Sequence, residues 1–166
     1  MNERHICFSH GKESGPWGTK IRALAGVARA GGWTVESLDY QGIDDPLERV
    51  AKLRSYAHSY GRPMALAGSS MGGFVAAAVA AELSVAGLFL MAPAFYVPGY
   101  EQYVPPPASC PTTIVHGWRD DVVPWEDSVR YASRQRAQLV LIDGDHRLTD
   151  NLAEVGAIFG RFLGRL

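Results

Sequence analysis

Residues Leu66–Phe74, with the sequence LAGSSMGGF, join a short apolar run to an alanine-rich segment through a turn of small residues. Residues 68–72 match the pattern G-x-S-x-G, which requires a strand that turns sharply into a helix. Such a turn holds its serine in a strained backbone conformation, and flanking glycines remove the clash that side chains would cause. The pattern fits only when it is centred on Ser70, because centring it on Ser69 puts Ala67 and Met71 at the glycine positions. Ser70 is therefore the candidate nucleophile, and a glycine-rich turn into a closely packed helix is the alternative interpretation.

Short apolar runs alternate with helical patterns along the rest of the chain. The predicted strands are Ile6–Ser9, Thr34–Asp39, Met64–Ala67, Gly87–Met91, Thr112–His116 and Leu139–Asp143. Helical patterns cover residues 16–30, 47–60 and 71–83, begin again near Trp125, and close the chain over 148–166. This alternation predicts one α/β domain over residues 1–166, with a mostly parallel six-stranded sheet and helices on both faces.

Parallel sheets of this kind place their sites at the carboxyl ends of the strands. The loops that start at His10, Gly68, Ala92, Gly117 and Gly144 should therefore share one edge. The loop between Ala92 and Pro111 is unusually long and rich in proline and aromatic residues, as binding loops and lids often are.

A serine nucleophile needs a base, and the base needs an acid that orients it. Two histidines follow Ser70 in the sequence, His116 and His146. His146 is the predicted base because it follows the last strand, on a loop at the site edge. His116 ends a strand and is interpreted as a structural residue that orients the acid's loop.

Two motifs make the comparison with a family specific. Residues 116–124 read HGWRDDVVP, and residues 144–146 read GDH just before the final helical pattern. Together with the elbow at Ser70, they resemble the α/β-hydrolase superfamily, in particular small cap-less esterases of the dienelactone-hydrolase-like type. The resemblance implies a minimal fold without a cap domain and makes Asp120 the acid, with Asp121 as the alternative.

The stretch SHGKESGPWGTK, residues 9–20, suggests a loop that binds an anion. It fails the spacing of a nucleotide-binding P-loop. The resemblance instead implies an oxyanion hole made by the backbone N–H groups of Lys12 and Met71.

Aromatic residues near the predicted site edge are candidates for contact with a substrate. Trp17, Trp118, Phe95 and Tyr96 lie on loops that follow predicted strands. Packing is an equally good interpretation of each, because aromatic side chains mostly bury area.

The composition of the 166 residues excludes several classes of function. With 16 basic and 17 acidic residues, the net charge of −1 gives no electrostatic reason to expect nucleic acid or a membrane as partner. Cys7 and Cys110, the only cysteines, make neither a zinc site nor a disulfide framework. We expect a cytoplasmic protein that uses no metal and no organic cofactor.

The sequence therefore predicts a serine hydrolase that cleaves a small carboxylic ester, or a thioester, through an acyl-enzyme on Ser70. A peptidase or a hydrolase of carbon–carbon bonds could use the same residues. The alternative from another class is a non-catalytic interaction protein built on a hydrolase fold.

Overall fold

Six strands form one sheet in the computed structural model of the protein, which describes residues 3–166. The strands are β1 (His5–Ser9), β2 (Thr34–Leu38), β3 (Ala65–Ser69), β4 (Gly87–Met91), β5 (Thr112–Gly117) and β6 (Gln138–Ile142). Their order in the sheet is β2-β1-β3-β4-β5-β6, and each neighbouring pair is parallel. The predicted six-stranded sheet is confirmed.

Five α-helices connect and follow the strands: α1 (Thr19–Ala30), α2 (Pro46–Tyr60), α3 (Met71–Glu82), α4 (Trp125–Gln135) and α5 (Leu152–Leu163). The start of α2 is well specified, because the Asp45 carboxylate accepts a hydrogen bond from the Leu47 N–H at 2.8 Å and Pro46 occupies the first turn. The last helix begins later than its apolar pattern, because Leu148 is left-handed (φ 56°) and a short 3₁₀ turn precedes Leu152.

The sheet is covered on both faces, as predicted. Consecutive strand residues point to opposite sides, so Leu88 and Leu90 pack with α2, α3 and α4, whereas Phe89 and Met91 pack with α1 and α5. Helix α3 is apolar all round and mostly buried, which fits its place directly against the sheet.

The order of the strands places the candidate site. The chain runs from β1 outward to β2, then returns to β3 on the other side of β1 and continues in the opposite direction. The carboxyl ends of β1 and β3 therefore flank the crevice at the switch point, which is where sheets of this type bind ligands.

Residues 3–166 form no separate cap domain over the strand ends. The long loop Ala92–Pro111 instead runs over this edge with only a short 3₁₀ turn, Glu101–Tyr103. None of the helices in the described part of the chain combines the length and the apolar character needed to cross a membrane.

Candidate active site

Ser70 sits in a strained turn between β3 and α3. Its φ of 54° and ψ of −122° lie outside the regions that side chains prefer. The two glycines of the motif are required by close backbone approach, since a Cβ on Gly68 would collide with the Gly72 carbonyl and a Cβ on Gly72 with the Ser9 carbonyl. The Ser70 N–H donates to the Met91 carbonyl at 3.0 Å, which ties the turn to β4. The local sequence thus builds a nucleophile elbow that lies against the end of β1.

The side chains of Ser70, His146 and Asp120 form one hydrogen-bonded chain. Ser70 Oγ lies 3.1 Å from His146 Nε2, and His146 Nδ1 lies 2.7 Å from Asp120 Oδ2. The Asp120 side chain is fully buried and the His146 side chain is 18% exposed. Three loops that follow β3, β5 and β6 therefore bring together the residues that the sequence placed in these roles.

Asp120 is held as a carboxylate by several donors. Its Oδ1 accepts the N–H groups of Val122 and Val123 at 2.9 and 2.8 Å, and its Oδ2 faces His146 and His116. Burial raises the pKa of Asp120, but the hydrogen bonds from Val123, His146 and Val122 outweigh it and hold this pKa below the ordinary value.

Asp121 is the other candidate acid. Its side chain is exposed and makes no hydrogen bond or ion pair with any residue from 3 to 166. The geometry favours Asp120 over its neighbour.

His116 contacts the same carboxylate oxygen, Asp120 Oδ2, as His146 does. Its ring is buried, with Nε2 at 2.9 Å from Asp120 Oδ2 and 3.0 Å from the Val123 carbonyl. Both neighbours are acceptors, so Nε2 carries the proton, and Nδ1 of the neutral ring accepts from the Ser128 hydroxyl at 2.7 Å. Burial lowers the pKa of His116, although the Asp120 carboxylate opposes the shift.

The loop after β1 lies beside the elbow. A Cβ built on Gly11 would be 3.5 Å from the Ser70 Cβ, in ordinary contact. Neither the Lys12 N–H nor the Met71 N–H donates a hydrogen bond to any residue from 3 to 166. Two backbone donors near Ser70 are therefore available to an oxygen atom outside the protein.

A cavity of about 390 Å³ opens next to the elbow. Its walls come from the nucleophile region, from the start of α2 and from the long loop, and they comprise Lys12, Met71, Phe74, Asp44, Asp45, Pro46, Ala94, Tyr96, Val97 and Tyr100. Most of the wall is apolar, and its charged side chains are one lysine and two aspartates.

Of the four aromatic residues predicted to contact a substrate, the structure brings Tyr96 to this cavity. Phe95 is buried and stacks on Tyr131 at 3.9 Å between ring centroids. Trp17 is half-buried against the core, with the Arg29 guanidinium over its ring, and the exposed Trp118 packs edge-on against Trp125.

Phe95, Trp17 and Trp118 do not line this cavity, and their contact with a substrate stays a prediction. Each of these rings packs against a neighbouring side chain of the fold.

Two charged residues near the site were missed by sequence reasoning. Burial lowers the pKa of Lys20 to about 8, although the carboxylates of Asp120 and Asp145 raise it. Arg49, on α2, is fully buried behind the loop that follows β1. Both lie on helices, α1 and α2, whose sequences show only the usual helical periodicity. No local sequence motif therefore predicts that either residue lies near the site.

Comparison with known proteins agrees with this architecture. The sequence model of the alpha/beta hydrolase domain family matches residues 43–155. A search of curated protein sequences returned no significant match.

Solved structures extend the similarity over the whole chain. A protein assigned to the alpha/beta hydrolase superfamily from Xanthomonas campestris pv. campestris is 33% identical, with a TM-score of 0.92 and 100% of both chains covered. Est1E from Butyrivibrio proteoclasticus is 18% identical, with a TM-score of 0.86, over 98% of this chain and 88% of its own. Mouse alpha/beta hydrolase domain-containing protein 10 is 22% identical, with a TM-score of 0.76, over 97% and 90%. The last two similarities show the fold alone.

The strand order, the elbow and these matches together show that the chain belongs to the alpha/beta hydrolase family, whose common activity is hydrolysis.

Proposed function

We propose that the protein is a serine hydrolase of the carboxylesterase type that cleaves a small carboxylic ester. The observation that carries the proposal is the continuous hydrogen-bonded chain from Ser70 through His146 to Asp120, with its serine in a strained elbow. A serine becomes a nucleophile when an oriented base can take its proton. In this proposal His146 is the base and Asp120 is the acid that orients it.

The distances suggest how the reaction proceeds. Ser70 Oγ attacks the ester carbonyl while His146 Nε2, at 3.1 Å, takes the hydroxyl proton and later gives it to the leaving alcohol. Asp120 accepts the Nδ1–H and stabilises the imidazolium that forms. The N–H groups of Lys12 and Met71 would bind the oxyanion of the tetrahedral intermediate. Water then hydrolyses the acyl-enzyme by the same route.

The cavity supports a small, mainly apolar substrate group. Its volume of about 390 Å³ lies near the lower end of the roughly 300–1,000 Å³ that small-molecule sites span. Phe74, Tyr96 and Val97 offer apolar contact. The two carboxylates of Asp44 and Asp45 outnumber the single cation of Lys12 in the lining, which disfavours an anionic group. A neutral acyl or alcohol group of limited length fits these walls, and a thioester would fit them as well.

A fluorophosphonate probe tests the proposal and separates it from a non-catalytic role. The probe should label the wild-type protein and should fail to label Ser70→Ala. Ser69→Ala is the matched control, because Ser69 is the neighbouring buried serine on β3 and should leave labelling unchanged. Undiminished labelling of Ser70→Ala would refute the nucleophile. A screen of p-nitrophenyl esters, thioesters and anilides would then identify the bond that is cleaved.

A further inference from the structure

Arg49 is the only lysine, arginine, aspartate or glutamate of residues 3–166 that is buried as a whole residue, at 1% exposure. Within that range no carboxylate lies within ion-pair distance of its guanidinium. Burying a cation without a counter-charge is unfavourable, and an apolar side chain of similar volume would avoid that cost. Packing of the core therefore does not by itself explain why this buried residue is an arginine.

All the side-chain hydrogen bonds of Arg49 go to backbone carbonyls, and two of the three acceptors lie on the loop after β1. Nη1 donates to the carbonyls of Gly11 at 3.2 Å and His10 at 3.4 Å, and Nε donates to the Ile43 carbonyl at 2.7 Å. The guanidinium also faces the Tyr40 ring at 5.4 Å. One buried cation thus fixes the loop after β1 and the segment that leads into the acidic wall of the cavity.

The Gly11 carbonyl has a second donor in the His10 ring. His10 Nε2 accepts the Tyr40 N–H at 2.8 Å, so the proton of the neutral ring is on Nδ1, which donates to the Gly11 oxygen at 2.7 Å. Burial lowers the pKa of His10, although the hydrogen bond to Gly11 opposes the shift. The oxygen of Gly11 is therefore held from two sides.

The Gly11 carbonyl and the Lys12 N–H belong to one planar peptide unit. This unit is trans, like the other peptide bonds of the described residues, so its C=O and N–H point in opposite directions. Fixing the oxygen toward Arg49 and His10 aims the N–H away from them. Hydrogen bonding of the oxygen to a cation also polarises the peptide and strengthens its N–H as a donor.

We propose that Arg49 is a positioning residue of the oxyanion hole, which acts through the Gly11–Lys12 peptide to orient and polarise the Lys12 N–H. This inference rests on the proposed function, because it needs an oxyanion at Ser70. It assigns Arg49 to transition-state stabilisation and not to substrate binding.

The test compares Arg49→Met and Arg49→Lys with Arg54→Met. Arg54 lies further along α2 on the surface, paired with Glu82 at 2.6 Å, so its replacement is a matched control for loss of an arginine from this helix. The measured quantities are the second-order rate constant for phosphonylation of Ser70 by a fluorophosphonate and, for a cleaved ester, kcat and KM. Protein concentration is corrected for the folded fraction by circular dichroism.

Loss of an oxyanion donor costs about 10²–10³ in rate, and an indirect effect should be smaller. We expect phosphonylation and kcat to fall about 10- to 100-fold in Arg49→Met, with KM changed less than about threefold. Arg49→Lys should recover part of the loss, because it keeps the charge but not the rigid fork of donors. Arg54→Met should react like the wild type.

A folded Arg49→Met protein that is phosphonylated within twofold of the wild-type rate would overturn the inference. So would a loss that appears in KM while kcat is kept. If Arg49→Met does not fold, Arg49→Gln decides in the same way, because it removes the charge and keeps a polar side chain, so an undiminished rate constant there excludes the positioning role. Failure of the wild-type protein to react at Ser70 would instead overturn the proposed function, and this inference with it.

Discussion

Asp120→Asn would change one atom of the proposed triad and put a donor where Oδ2 now accepts from both His146 and His116. The Asn oxygen can keep the N–H groups of Val122 and Val123, now at 2.9 and 2.8 Å, because those bonds go to Oδ1. The amide NH₂ then takes the place of Oδ2, opposite His146 Nδ1 and His116 Nε2. Both nitrogens carry protons in the wild-type arrangement, so donor would face donor.

His146 can relieve this conflict by moving its proton from Nδ1 to Nε2. Nε2 then donates toward Ser70 and cannot accept the hydroxyl proton. The wrong tautomer costs about 10⁴ in kcat in a triad of this type, which corresponds to about 5–6 kcal/mol of transition-state stabilisation. KM should change little, because the buried Asp120 side chain does not line the cavity.

The assay is the hydrolysis of an ester identified by the screen, with the folded fraction measured by circular dichroism. Asp121→Asn is the matched control, because it makes the same chemical change on an exposed neighbour and should cost less than about threefold. A loss below tenfold for folded Asp120→Asn, or a larger loss for Asp121→Asn, would refute the assignment of the acid.

Three further predictions concern the elbow, the buried histidines and the cavity. Gly72→Ala should abolish activity or folding because its Cβ would meet backbone, whereas Gly26→Ala, with open space around it, should stabilise the protein by about 0.5–1 kcal/mol in urea titrations. Burial lowers the pKa values of His5, His10 and His116, so below about pH 6.5 the unfolded chain binds protons that the folded protein does not. The free energy of unfolding should therefore fall between about pH 7 and pH 5, by up to about 1.4 kcal/mol per pH unit for each histidine, and a flat profile would contradict this. In a series of p-nitrophenyl esters from acetate to palmitate, kcat/KM should be highest for short neutral acyl groups, and a maximum at palmitate would exclude a small-substrate cavity.

The sequence predicts those features of the fold that are built by residues close together in the chain. The elbow at Ser70 is built within a few residues, and its glycines are dictated by backbone contacts that the motif already encodes. The strands were found from apolar runs because a parallel sheet buries both faces, although β3 begins and ends later than predicted, at Ala65 and Ser69. Asp120 and His146 were placed by order along the chain and by resemblance, and their catalytic roles remain predictions.

Features that depend on contacts between residues far apart in the sequence could not be predicted from local patterns. Whether a loop aromatic residue meets the cavity or the core depends on local backbone angles, and Phe95 and Tyr96 are neighbours that face different surroundings. Tyr96 has a φ of 55°, and no pattern in the sequence predicts this backbone angle. Arg49 reaches the loop after β1 because α2 lies beside it in space, and that contact spans 38 positions in the sequence. A cytoplasmic location also stays a prediction.

The long loop Ala92–Pro111 forms a part of the cavity wall that is separate from the hydrogen-bonded side chains of the candidate site. From Phe95 to Val104, the backbone N–H groups that donate do so to atoms of the loop itself, and Tyr96, Val97 and Tyr100 lend the cavity one wall. Ser70, Asp120 and His146 lie on other loops, at the ends of β3, β5 and β6. Substitutions confined to residues 96–100 should therefore reshape this wall and leave the hydrogen bonds among Ser70, His146 and Asp120 in place. In the proposed hydrolase, a directed library at these positions should change which substrate is accepted more than it changes the rate of the chemical step.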